Sequence, residues 1–145
     1  MIEKPNIVVL GGGNGTSRLL TALMPLIKDG TAASSHALVH MADDGGSTGR
    51  LRRQYGVAAI GDLTKCLVAL SGWQGDIRGD AFLQALDYRY TSGDFEGHTL
   101  RNMFLTSLEK TSDLDSAIAT MARILQLPQN VGVVPTTLTT LHQQV

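Results

Sequence analysis

The sequence predicts an α/β fold built on a parallel sheet, because short apolar runs alternate with longer segments of helical periodicity. The first run, residues 7–10, consists of four apolar residues and is ended by glycines, which is typical of a strand buried on both faces. A second apolar run occupies residues 37–41, after a helical pattern. Strands joined through a helix lie parallel. We therefore predict parallel strands at 6–10 and 37–41.

The composition fits one domain over residues 1–145. It is 43% hydrophobic and 17% charged, which is sufficient for a modest core. The formal charge of −1 gives no basic field, so nucleic acid is not an expected partner. No apolar run approaches the about 18 residues of a membrane helix. We also expect no signal peptide before the first strand. We expect a cytoplasmic protein without membrane contact. The sequence leaves open whether the chain forms a homo-oligomer.

The helix after the first strand is expected to begin at a cap formed by Thr16 or Ser17. Pro25 is expected to kink it or end it early. Residues 30–35 have the composition of a linker.

The second half of the chain has mostly helical spacing. Asp62 and Asp113 are candidate helix caps there. A third strand at 131–134 is stopped by Pro135. Three strands leave unpaired edges, so the chain is expected to be an amino-terminal portion of a longer domain. The helical patterns cover residues 62–70, 80–90, 99–109 and 113–125.

Two glycine-rich segments follow the first two strands, where ligands bind in open parallel sheets. In the first, residues 11–17, glycine lets backbone N–H groups approach an anion, which the start of the next helix favours. The segment is not a G-x-G-x-x-G fingerprint, because Thr16 stands where the third glycine belongs. It also lacks the Gly-Lys-Ser/Thr of a P-loop. A tight turn that binds nothing is the alternative.

The second segment, residues 42–52, is interpreted as one acidic loop. Asp43 and Asp44 could coordinate Mg²⁺ or accept hydrogen bonds from a ribose or base. Arg50 or Arg52 could clamp a phosphate or carboxylate. The alternative is a solvated turn in which these aspartates pair with these arginines.

Five ordered motifs resemble the CofD-like superfamily and, more closely, its YvcK-type branch of gluconeogenesis factors. They are Gly11-Gly12-Gly13-Asn14-Gly15, Ala42-Asp43-Asp44-Gly45-Gly46-Ser47-Thr48-Gly49-Arg50-Leu51-Arg52, Gly61-Asp62 with Cys66 to Leu70, Gly97-His98-Thr99-Leu100 with Asn102, and Pro135-Thr136-Thr137-Leu138. The resemblance implies a Rossmann-like three-layer α/β/α fold. It implies UDP-sugar binding, with links to carbon metabolism, cell-wall precursor supply and cell shape. The other branch transfers 2-phospholactate to a deazaflavin precursor, using Mg²⁺.

The chain departs from this resemblance in three ways. Lys65 ends a Gly-Asp-Leu-Thr-Lys stretch where the gluconeogenesis factors read Gly-Asp-Ile-Arg-Asn. The transferase signature Pro-Asp-Leu-Asp-Thr is missing at this place. Family members are also about twice as long, the size of larger α/β domains.

Three functions follow as hypotheses. The first is a nucleotide-sugar-binding regulatory protein without chemistry of its own. The second is a Mg²⁺-dependent 2-phospho-L-lactate transferase, with Asp43 or Asp44 on the metal. The third is an NAD(P)-binding oxidoreductase with Asp43 at the ribose, against which the absent third glycine argues. The residues expected at the ligand are Gly12, Gly13, Asn14, Gly15, Thr16, Asp43, Asp44, Ser47, Arg50, Asp62, Lys65, His98 and Asn102.

Overall fold

The computed structural model describes residues 3–137, which contain three strands and six helices. None of the helices in this part of the chain combines the length and apolar character that crossing a bilayer requires. In chain order the elements are β1 (Asn6–Gly11), α1 (Gly13–Lys28), β2 (Ser34–Val39), α2 (Gly46–Tyr55), α3 (Ile60–Ala69), α4 (Ile77–Asp87), α5 (Leu100–Thr111), α6 (Leu114–Ile124) and β3 (Val131–Pro135).

The three strands form a parallel sheet in the order β1-β2-β3. Val8 of β1 lies opposite His36 of β2, and Ser35 of β2 lies opposite Val131 of β3. Helix α1 connects the first pair, whereas five helices lie between β2 and β3. The predicted α/β class with a parallel sheet is therefore confirmed.

One face of the sheet carries the core. Val9, Ala37 and Val133 point to this face and are buried, and helices α1 and α3 pack against the strands. On the opposite face Val8 is 63% and Leu10 is 71% exposed. The prediction that β1 is buried on both faces is wrong for residues 3–137, which supply one helical layer. The sequence of a four-residue apolar run does not reveal whether other elements pack against both faces of the strand.

Helix α1 differs from the prediction at both ends. It begins at Gly13, with Gly12 at the N-cap position, instead of at a Thr16 or Ser17 cap. Pro25 does not end the helix, which continues to Lys28. The missing N–H of Pro25 leaves the Thr21 carbonyl without its helical donor. Both residues are exposed, so water can satisfy that carbonyl.

The acidic segment is not one loop. From Gly46 onward it forms α2, which ends at Tyr55 and is followed by the C-cap residue Gly56 with a left-handed φ of 65°. Of the two predicted helix caps, one is wrong and one is confirmed. Asp62 lies in the first turn of α3, where Ala59 is the N-cap residue, so that prediction is wrong. Asp113 is confirmed as the cap of α6, because its carboxylate accepts a hydrogen bond from the Ser116 N–H at 2.8 Å.

Candidate functional site

A cleft of about 530 Å³ opens at the carboxyl ends of β1 and β2. Three stretches of chain supply its walls: the turn from β1 to α1, the segment from β2 to α2, and the first turns of α3. This is the place in an open parallel sheet where ligands bind. The lining residues are Gly13, Asn14, His40, Ala42, Asp43, Asp44, Gly45, Asp62 and Lys65.

The turn from β1 to α1 requires glycine for two different reasons. A Cβ atom on Gly12 would lie 2.5 Å from Asp62 Oδ2 and 2.8 Å from the His40 ring. Gly13 has a φ of +70°, which L-residues with side chains rarely adopt. No side chain caps the first N–H groups of α1. Those groups and the positive end of the helix favour an anion at this wall.

The rest of this turn supports the helix start. Asn14 and Gly15 are exposed at the first turn of α1. Thr16 is buried, and its hydroxyl donates a hydrogen bond to the Gly12 carbonyl at 3.1 Å. Thr16 therefore stabilises the turn from inside and lies outside the cleft lining.

Arg52 holds the acidic segment in place. Its guanidinium is buried; it forms an ion pair with Asp44 and donates a hydrogen bond to the Asp43 carbonyl at 3.0 Å. The Asp43 carboxylate accepts a hydrogen bond from the Gly45 N–H at 2.9 Å. For Asp44 and Arg52 the alternative interpretation, an aspartate paired with an arginine, is confirmed.

The opposite wall of the cleft comes from α3. Asp62 is buried and accepts a hydrogen bond from Lys65 Nζ at 3.1 Å. His40 Nε2 lies 3.8 Å from the other oxygen of the same carboxylate. Lys65 thus lines the same cleft as Gly13 and Asn14 at the uncapped start of α1.

Ser47, His98 and Asn102 form a buried hydrogen-bonded chain with Thr64. Asn102 Nδ2 donates to Ser47 Oγ at 3.1 Å, and Thr64 Oγ1 donates to Asn102 Oδ1 at 2.7 Å. Ser47 Oγ lies 2.9 Å from His98 Nδ1. Within residues 3–137 the partners of Ser47 Oγ are the Asn102 amide, which donates to it, and His98 Nδ1. The Ser47 hydroxyl proton therefore has Nδ1 as its acceptor, and we assign the imidazole proton to Nε2.

His98 is held in its neutral form. Burial lowers the pKa of its imidazole, and the positive charges of Arg50 and Arg89 lower this pKa further. Arg50 itself lies away from the cleft, since its Nη2 donates a hydrogen bond to the Glu96 carbonyl at 2.5 Å. The residues expected around one ligand are therefore divided between the cleft lining and a buried layer next to it.

His40 and Thr64 are site residues that sequence reasoning missed. His40 shows no ligand spacing, but it directly follows β2, and position after a strand was the available signal. Thr64 lies two positions after Asp62 within α3. Nothing in the sequence indicates that it bonds to Asn102, because that contact joins two helices.

A second cavity of about 620 Å³, lined by polar and apolar residues, adjoins the cleft. The two share Asn14 and Lys65. Arg101, which is buried and paired with Asp87, contributes to its wall. The remaining lining residues are Ser17, Thr21, Val68, Ala69, Gln74, Asp80, Leu83, Gln84 and Tyr88.

The carboxylates of the cleft decide whether this site can hold a metal ion. Within residues 3–137 there is no group of three or more His, Cys, Asp or Glu side chains arranged to hold an ion. Asp44 is engaged by Arg52 and Asp43 by the Gly45 N–H. These carboxylates do not form a protein-held site for Mg²⁺, which prefers octahedral oxygen ligands.

Residues 7–145 match the protein family described as 2-phospho-L-lactate transferase CofD. The chain belongs to the CofD family. Relatives of this CofD-family chain include a protein of Nostoc sp., 40% identical over 123 residues, which are 83% of this chain and 25% of that protein. The protein named gluconeogenesis factor in Bacillus subtilis is 36% identical over 129 residues, which are 88% of this chain and 38% of that protein.

A solved structure agrees with this CofD-family assignment. A crystal structure of a Bacillus halodurans protein superposes with a TM-score of 0.80 at 34% identity, covering 95% of this chain and 41% of that chain. The present chain thus spans between a quarter and about two fifths of the relatives it matches.

Proposed function

We propose that this CofD-family chain binds a nucleotide sugar in the cleft and acts as a regulatory protein rather than as an enzyme. The observation that carries the proposal is the position of Lys65, which lines both cavities together with Asn14 of the uncapped first turn of α1. The relatives named gluconeogenesis factor support a role in carbon metabolism. With it we propose a cytoplasmic location and links to cell-wall precursor supply and cell shape.

The diphosphate of such a ligand has a natural position at the start of α1. The first N–H groups of the helix have no side-chain cap, and a helix N-terminus together with an ammonium group forms an anion site. Lys65 lines this cleft and keeps one contact to Asp62. Its remaining N–H donors can reach a phosphate oxygen.

The two cavities then accommodate the two ends of the ligand. The acidic wall offers the carboxylates of Asp43 and Asp44, acceptors for ribose hydroxyls or a base N–H group. The adjoining polar cavity presents amides, carboxylates and hydroxyls, including Gln74, Gln84 and Asp80. These groups match the hydroxyls of a sugar. A ligand with a diphosphate between two polar ends fits this order of groups.

A transferase is the second candidate, favoured by the description of the matching family. It would need a metal ion or another electrophilic group at the acidic wall, and within residues 3–137 no group of three or more His, Cys, Asp or Glu side chains is arranged to hold an ion. Metal dependence separates the two candidates. UDP-N-acetylglucosamine is titrated calorimetrically with Mg²⁺ and then with EDTA.

Lys65→Met is expected to weaken UDP-N-acetylglucosamine binding about tenfold, because a charge-assisted hydrogen bond to phosphate is lost. Lys28→Met, an exposed lysine at the other end of α1, is the matched control and should leave affinity unchanged. Asp43→Asn should weaken binding with and without metal. Affinity that collapses only in EDTA supports the transferase, and equal affinity of Lys65→Met and wild type contradicts the proposed site.

A further inference from the structure

A third cavity, of about 610 Å³, lies between α2 and α5 and shares no lining residue with the cleft. Residues 94–98 contribute to its wall beside the two helices. Its volume falls in the range of pockets that enclose small molecules. The lining residues are Leu51, Gln54, Tyr55, Asp94, Phe95, His98, Met103, Thr106, Ser107, Lys110 and Thr111.

Two buried polar groups in this cavity have hydrogen-bonding capacity to spare. Thr106 is 6% exposed, and within residues 3–137 its shielded hydroxyl has no hydrogen-bond partner. His98 is equally buried and uses Nδ1 for Ser47, so its Nε2–H is left as a donor. Buried polar groups are nearly always satisfied in folded proteins, by protein, water or ligand. Because Thr106 is a lining residue of the cavity, its unpaired hydroxyl is a candidate binding group.

The rest of the lining indicates a flat, uncharged partner. Tyr55 at the end of α2 and Phe95 in the opposite segment are 50% and 55% exposed. Half-exposed aromatic faces stack on planar rings. Lys110 and Asp94 contribute one charge of each sign, and the Lys110 ammonium already donates to the Tyr55 carbonyl at 3.2 Å. The cavity therefore has no excess charge that favours an ion.

We infer that this cavity is a binding site for an uncharged planar heterocycle of nucleobase size. The edge of the ring bonds to the His98 Nε2–H and the Thr106 hydroxyl, and its face lies against Tyr55 or Phe95. The site is independent of the nucleotide-sugar cleft, because it is built from different lining residues.

The probe is 2-aminopurine, a neutral fluorescent heterocycle whose emission is quenched on stacking. Wild type is expected to quench it saturably. Thr106→Val keeps the shape of the side chain and removes its hydroxyl, so affinity should fall about tenfold. Phe95→Leu should lower it by a similar factor through lost stacking. Phe82→Leu, a 38% exposed aromatic residue on α4 outside this cavity, is the matched control.

Thermal melts establish that each variant is folded. If Phe95→Leu does not fold, Tyr55→Leu replaces it as the stacking variant. Binding unaffected by Thr106→Val and by the stacking variants overturns the inference. Loss of 2-aminopurine binding in Lys65→Met also overturns it, because the probe would then occupy the cleft. Failure of UDP-N-acetylglucosamine to bind, with 2-aminopurine binding intact, contradicts the proposed function alone.

Discussion

Arg50 and Arg52 are separated by one residue and bind different partners. Residues two apart on a helix point to different sides. Arg52 consequently points to the acidic segment and pairs with Asp44, whereas Arg50 reaches the Glu96 carbonyl. From the sequence either arginine was a candidate phosphate clamp. The sequence cannot decide between the two arginines, because it indicates a loop, and a loop has no fixed angle between successive side chains.

Other site residues could be predicted because their chemistry depends on position after a strand. Gly13, Asn14, Asp43 and Asp44 line the cleft, and their binding to a ligand stays a prediction. The grouping of His98 with Ser47 and Asn102 depends on how α5 packs near α2. Helix packing is a tertiary property, and the sequence placed these residues at the ligand only through resemblance.

Cys66 should make stability fall with rising pH in alkaline solution. Burial raises the pKa of its thiol to about 12 from an ordinary value of 9.0, and the charge of Asp62 adds to this. Between these values the folded state keeps a proton that the unfolded chain releases, so the free energy of unfolding declines as pH rises. Cys66→Ala removes this contribution. Urea unfolding at pH 8 and pH 10 should show a shallower decline for the variant than for wild type; equal declines would contradict the burial of the thiol.

At the scale of elements, periodicity predicts the long helices and fails for α2. Eight of its ten residues are Gly, Ser, Thr, Arg or Gln, and glycine weakens a helix interior. Packing overrides this propensity. Leu51 is buried, and a side chain on Gly49 would collide with the Asp44 carbonyl. The glycines that indicated a loop are therefore partly close-packing positions of a helix.

Helix α4 provides a test of capping. The Asp76 carboxylate accepts hydrogen bonds from the N–H groups of Arg78 and Gly79, both at 2.9 Å. Asp76→Ala should lower the free energy of unfolding by about 0.5–2 kcal/mol, because these donors lose their partner. Asp76→Asn should remain close to wild type, since asparagine caps equally well. Chemical denaturation of the three proteins measures this, and equal loss in both variants would point to the charge rather than the cap.

For the whole molecule, the uncovered sheet face decides how substitutions on β1 behave. Leu10 is 71% exposed, whereas Val9 beside it is 7% exposed on the core face. Leu10→Gln should therefore change the free energy of unfolding by less than about 0.5 kcal/mol and reduce aggregation on heating. Val9→Thr should cost about 1–3 kcal/mol, because it buries a hydroxyl. Thermal unfolding followed by light scattering compares them. A large loss from Leu10→Gln would show that another layer covers this face in solution.

The pairing of β2 with β3 also sets the order in which the chain can assemble. Residue 35 must meet residue 131, and all of α2 to α6 lies between them. Contacts this distant in sequence slow folding, because the ends of a long segment must be brought together first. During synthesis β1 and β2 can associate early, whereas the second edge of β2 stays unpaired until residues 131–135 have left the ribosome. That edge is an open template for other strands in the interval, so the dependence of a newly made chain on chaperones should be greatest just before residue 131 emerges.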